Sequence, residues 1–136
     1  MLNKEDILYK LKNLNLPKDQ YCVMTGSALV LHGVKEDTQD IDIGCSKELF
    51  LELLQRGHRQ EQLKSFAGIV IDDCIEIFEN WIAKKIVYIE DIPVADIDCI
   101  REYKQFLARE KDLEDIELID EYVAARAKSE LENECK

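Results

Sequence analysis

Two rhythms of hydrophobic positions run along this chain, and the changes between them predict its elements. Ile7, Leu8, Leu11 and Leu14 follow helical spacing, with Asn3 placed to cap the segment and Pro17 to end it. Residues 21–24 are a short unbroken apolar run of strand type, 27–32 a brief helix stopped at Gly33, and 35–39 a polar loop. A second strand is expected over 40–45. Ser46 then caps a helix to Gln55, because Leu49, Phe50, Leu53 and Leu54 share one face. Strands follow at 69–71 and 74–78, separated by Asp72-Asp73, and a further one at 85–89 leads to Pro93. Two helices close the chain, over 98–107 and 113–131, the last with Ile116, Ile119, Tyr122 and Val123 as its buried stripe. No repeat, linker or low-complexity tract interrupts the 136 residues. The pattern predicts one α/β domain over 1–136, with helices flanking a small mixed sheet.

Composition narrows the function classes. At 46% hydrophobic and 35% charged residues the chain reads as a folded globular protein. No apolar run reaches the ~18 residues of a membrane span, and the first twelve residues are too charged for a secretory signal. The net charge of −11 opposes loose binding to nucleic acid or anionic membranes. Residues 90–136 hold 15 acidic and 7 basic side chains, so any polynucleotide would have to avoid the C-terminal third. Five cysteines (22, 45, 74, 99 and 135) are odd in number and show no C-x-x-C spacing. Cys22, Cys45 and Cys74 sit in or beside apolar strands as small hydrophobes, which points to a reducing, cytoplasmic setting.

Chemistry enters at 21–46, YCVMTGSALVLHGVKEDTQDIDIGCS. Side chains alternate across a strand, so Asp40 and Asp42 face one side while Ile41 and Ile43 face the core. Their Cα atoms would be roughly 6.5–7 Å apart, and two carboxylates that close repel unless a cation lies between them. Magnesium suits them, since it takes one or two protein carboxylates and completes its shell with water and phosphate oxygens. Gly26-Ser27 enters a helix, where free backbone N–H groups at the positive end receive phosphate. A phosphate cradle and a carboxylate pair separated by twelve residues together describe a nucleoside triphosphate site.

Thr25-Gly26-Ser27 followed by Asp40-Ile41-Asp42-Ile43 resembles the signature of the polymerase-β-like nucleotidyltransferase superfamily. Pro93-Val94, Tyr103-Lys104, Arg109 and the run from Lys111 to Ile116 look like the C-terminal part of its bacterial lincosamide-type and abortive-infection-toxin-type members. The resemblance implies a nucleotidyltransferase fold and a third carboxylate on a neighbouring strand, completing a two-metal site with Asp40 and Asp42. Glu76 is the candidate, because Cys74-Ile75-Glu76-Ile77-Phe78 repeats the apolar–acid–apolar arrangement; Asp72 and Asp73 are the alternatives, read otherwise as a hairpin turn. It implies that Lys104 matches a helix lysine that contacts the triphosphate, while Ser27 and the N–H groups near Gly26 hold its β and γ phosphates. The implied activity is magnesium-dependent transfer of a nucleoside monophosphate from ATP or GTP to a hydroxyl on a small molecule, a protein or tRNA. The alternative is a degenerate nucleotide- or partner-binding module, such as a toxin–antitoxin component. So short a chain leaves little material for an acceptor pocket, which makes a homodimer that completes the cleft a further expectation.

Other residues carry weaker signals. His32 ends a short helix as a packing or capping residue, and His58 lies in a polar, exposed segment. Trp81 is either core or a ring platform. Lys35 and Thr38, in the loop before the aspartates, stand near enough in sequence to touch phosphate or substrate. Arg109, Lys111, Asp112 and Asp115 read as a salt-bridge cluster at a helix start.

Overall fold

A computed structural model describes residues 1–63 and 66–134. Cys135 of the sequence reading lies outside them. The elements run α1 (Lys4–Leu14), β1 (Tyr21–Met24), α2 (Thr25–His32), β2 (Ile41–Cys45), α3 (Lys47–Gln55), β3 (Gln60–Leu63), β4 (Phe66–Ile71), β5 (Ile75–Glu79), β6 (Ile86–Ile89), β7 (Ile92–Ala95), α4 (Ile97–Leu107) and α5 (Glu110–Glu134). The strands form one mixed sheet in the order β3-β4-β5-β2-β1-β7-β6.

Local chemistry explains the boundaries. Asn3 caps α1 through a reciprocal capping box with Asp6, and Asn15 ends it in the left-handed conformation. Ser46 caps α3 by accepting from the Leu49 N–H, and Gly33 closes α2 at φ 86°. Asp72 and Asp73 both take positive φ and turn β4 into β5, the role their turn chemistry suits.

Two strands were not anticipated. β3 is too polar (Gln60, Glu61) to signal itself, and it exists by pairing antiparallel with β4. β7 contains Pro93, which argues against an interior strand. It is nevertheless fully buried, pairing with β6 and, through Val94, with Val23 of β1.

The core lies on one face of the central strands. Ile41, Ile43 and Cys45 of β2 and Ile75 and Ile77 of β5 are sealed with Ile7, Leu11, Leu29 and Phe50. Cys22 and Cys45 are buried free thiols and Cys74 is half-buried, in keeping with their apolar surroundings. In the last helix Ile119 is buried and Ile116 and Tyr122 half-buried, but Val123 is 47% exposed, so the expected stripe ends one residue early. α5 has 25 residues against 11 in α4, the helix it packs on, and from Val123 to Asn133 every residue is exposed. Among the described residues no helix is long and apolar enough to cross a membrane.

Candidate active site

The opposite face of β2 and β5 carries polar groups, because strand alternation that sends isoleucines inward sends Asp42 and Glu76 outward. β2 and β5 run parallel, with Asp42 and Glu76 as register partners, and Asp42 pairs with Met24 of β1 on its other side. Asp40 lies one residue before the strand instead of inside it, since pairing begins at Ile41, whose N–H donates to the Cys74 carbonyl. Asp40, Asp42 and Glu76 nevertheless line one cleft of about 960 Å³, together with Gly26 and Lys104. Asp72 and Asp73, the alternative third carboxylates, are exposed in the hairpin turn and do not line it.

The turn from β1 into α2 forms the floor. Thr25 adopts φ 51°, a costly conformation for a β-branched residue, and its hydroxyl donates a short hydrogen bond to the Asp42 carboxylate. Ser27 is fully buried; its hydroxyl donates to the Met24 carbonyl at 2.8 Å and accepts from the Asp42 N–H at 3.1 Å. That places the Ser27 side chain beneath the site as a tie between β1 and β2, and leaves Thr25 and Gly26 as the residues facing the cleft. At Gly26 a Cβ would lie 3.2 Å from Thr38 Oγ1, a tight contact with a side-chain end. The loop carrying Lys35 and Thr38 is pinned by paired backbone hydrogen bonds between Thr38 and Leu2.

One end of the cleft is aromatic. Trp81 meets Phe78 edge-on at 5.6 Å and Tyr103 at 5.3 Å, and all three line the cleft. Gly44, two residues beyond Asp42 on the same strand face, lets the Trp81 backbone cross β2, because a Cβ at that point would overlap the Trp81 carbonyl. Burial raises the Tyr103 phenol; Arg109 opposes that shift, while the Asp42 and Asp112 charges add to it.

The wall formed by α4 and α5 is a charge network. Lys104 is only 5% exposed, and its ammonium reaches Asp115 at 2.8 Å and Asp112 at 3.5 Å. Asp112 is fully buried and receives the Arg109 backbone N–H at 3.1 Å and Nε at 2.7 Å. Burial alone would raise the Asp112 carboxyl, but the Arg109 hydrogen bonds and the Lys104 charge hold it below its ordinary value. Asp115 also binds Lys35 at 3.2 Å. The expected salt-bridge cluster at the helix start is therefore present between Arg109 and Asp112, and it extends into the cleft to hold Lys104. His32, away from this wall, is half-buried with Nε2 2.8 Å from the Ala95 carbonyl, and burial lowers its pKa. His58 is half-buried rather than exposed.

Sequence reading left Thr25 and Phe78 without roles. Phe78 was signalled by its place two residues after Glu76 on the same strand face; nothing local marks the Thr25 hydroxyl, whose partner is 17 residues away.

Carboxylates are the oxygen donors that magnesium selects, and Asp40, Asp42 and Glu76 are among those that line this cleft, with Asp37, Glu79, Asp112 and Asp115. Among the described residues, however, no three His, Cys, Asp or Glu side chains are drawn together into a metal-holding group. The donor set fits the ion in kind and in strand register, while the Asp42 carboxylate is turned to Thr25.

No family model and no curated protein matches the chain. Solved structures do. A provisionally assigned nucleotidyltransferase from Thermotoga maritima (TM1012) is 18% identical, with 91% of this chain and 96% of that chain covered and a TM-score of 0.59. ANT(2")-Ia, solved in complex with adenylyl-2"-tobramycin, is also 18% identical, with 90% of this chain and 88% of that chain covered and a TM-score of 0.52. Coverage this complete over both chains shows that the protein has the nucleotidyltransferase fold.

Proposed function

We propose that the protein is a nucleotidyltransferase that moves a nucleoside monophosphate from an NTP to an acceptor hydroxyl. One observation carries this reading: Asp40, Asp42 and Glu76 open onto the same cleft as the Gly26 turn and the lysines of the facing wall. Backbone N–H groups at the start of α2 and the cations Lys35 and Lys104 suit a polyphosphate. The acceptor hydroxyl would approach from the carboxylate side. Its oxygen forms a bond to the α-phosphorus, the bond from that phosphorus to the bridging oxygen breaks, and pyrophosphate leaves. Glu76, the register partner of Asp42, would accept the hydroxyl proton. Asp40, Asp42 and Glu76 would hold Mg²⁺, which when bound supplies charge neutralisation at the reacting phosphate. The chain's own contribution is to align donor and acceptor and keep the phosphates against fixed positive groups.

Asp42→Asn tests this. The variant keeps size, strand fit and an oxygen able to accept from Thr25, and it removes like-charge repulsion from Glu76 across the strand pair. It should melt at or above the parent temperature without metal, while transfer of label from an α-labelled NTP falls roughly a hundredfold to a thousandfold. Undiminished transfer would overturn the assignment. A parent that binds NTP yet transfers no label to any hydroxyl acceptor would support the nucleotide-binding module instead.

A further inference from the structure

Lys35 and Lys104 approach one carboxylate from elements far apart in sequence. Asp115, near the start of α5, meets Lys104 of α4 with one oxygen and Lys35, in the loop between α2 and β2, with the other. The first contact is needed for stability, since a buried ammonium requires a partner and Asp112 lies farther off at 3.5 Å. The second is not. The Lys35 side chain is 27% exposed, and water would solvate its ammonium at little loss. What the second contact does is set position: Lys35 Nζ stands beside the Gly26 turn, where a Cβ on Gly26 would lie 4.0 Å from it.

We propose that Asp115 is a positioning residue, neutralising buried Lys104 with one oxygen and aiming Lys35 over the Gly26 turn with the other, so that Lys35 binds the outer phosphates of the NTP. This rests on the NTP reading above. A lysine free on a loop would lose rotamer freedom on gripping phosphate, and holding it beforehand removes part of that cost.

Two measurements test the proposal together: equilibrium binding of inorganic tripolyphosphate, which has no nucleotide to transfer, and label transfer from α-labelled ATP. Lys35→Met should weaken tripolyphosphate binding and raise KM for ATP about tenfold to a hundredfold, with kcat at saturating ATP and the melting temperature unchanged. Asp115→Asn should raise KM by the same factor. In tripolyphosphate binding the double variant should be no worse than either single one, because Asp115 acts on the outer phosphates through Lys35; its separate contact with Lys104 is read in the melting temperature instead. Asp115→Glu should restore part of the affinity. If Asp115→Asn does not fold, Lys35→Met alone decides. Tripolyphosphate affinity unchanged in Lys35→Met, or effects that multiply in the double variant, would overturn the proposal. A parent that transfers label while Lys35→Met behaves as the parent overturns this inference alone. A parent that binds tripolyphosphate through Lys35 but transfers no label overturns nucleotidyl transfer and supports the role of Asp115.

Discussion

Gly44 and Gly26 are both glycines beside the cleft, yet they differ in what a methyl group would meet. At Gly44 it would overlap the Trp81 main-chain carbonyl, which cannot yield without moving the segment after β5. At Gly26 it would press on the Thr38 hydroxyl at 3.2 Å, the end of a side chain that can rotate. Gly44→Ala should therefore lower the melting temperature markedly, with a cost of about 1–3 kcal/mol from overpacking, and Gly26→Ala should lower it little. Thermal melts of the two variants decide the matter; equal melting temperatures would show that the Trp81 backbone relaxes freely. Thr25 and Ser27 divide the work of the turn between them. One hydroxyl meets the Asp42 carboxylate and the other its backbone N–H, so the orientation of Asp42 depends on two residues that its own strand does not contain.

The pair α4 and α5 shows how an element acquires its place from charge as well as apolar area. Ile100 and Ile119 bury fully, and around them Lys104, Asp112 and Asp115 are also withdrawn from water. Removing one partner leaves the others buried and uncompensated. Asp112→Asn should be less stable than the parent at pH 7 by about 2 kcal/mol. The sign of its pH dependence follows from the lowered carboxyl. Its stabilisation is fully present above the ordinary value of 3.8 and is lost as pH falls through the lower folded value. Urea midpoints of parent and variant should accordingly converge below about pH 3.8, and a gap that stays constant from pH 7 to pH 3 would refute the pairing.

For the whole molecule, a ligand that binds only the folded state raises the melting temperature by mass action. ATP or GTP at millimolar concentration should do so when magnesium is present and much less with a chelator, as read by thermal shift. The cleft joins α2, β2, β5, α4, α5 and the loop before β2, so binding there should stabilise the sheet centre and both cleft walls at once. No shift with any NTP would favour a partner-binding module.

Much of this architecture was legible in local sequence because it is enforced locally. Caps at Asn3 and Ser46, the left-handed turn at Asp72-Asp73 and the apolar alternation through Ile41, Ile43, Ile75 and Ile77 depend on neighbours within a few residues. The same alternation put Asp42 and Glu76 on outward faces, and strand register then made them partners. What local pattern cannot carry is pairing at a distance. β3 and β7 form only because β4, β1 and β6 offer hydrogen bonds to segments whose own composition is indifferent or adverse. Ser27 looks like a ligand-facing polar residue in sequence, yet the fold buries its hydroxyl between strands, whereas Lys104 lines the cleft and is held there between two aspartates. Val123 keeps its helical phase but lies where α5 is exposed, so it meets solvent. Periodicity determines which face a side chain takes; only the packed tertiary structure decides whether that face meets core, cleft or water.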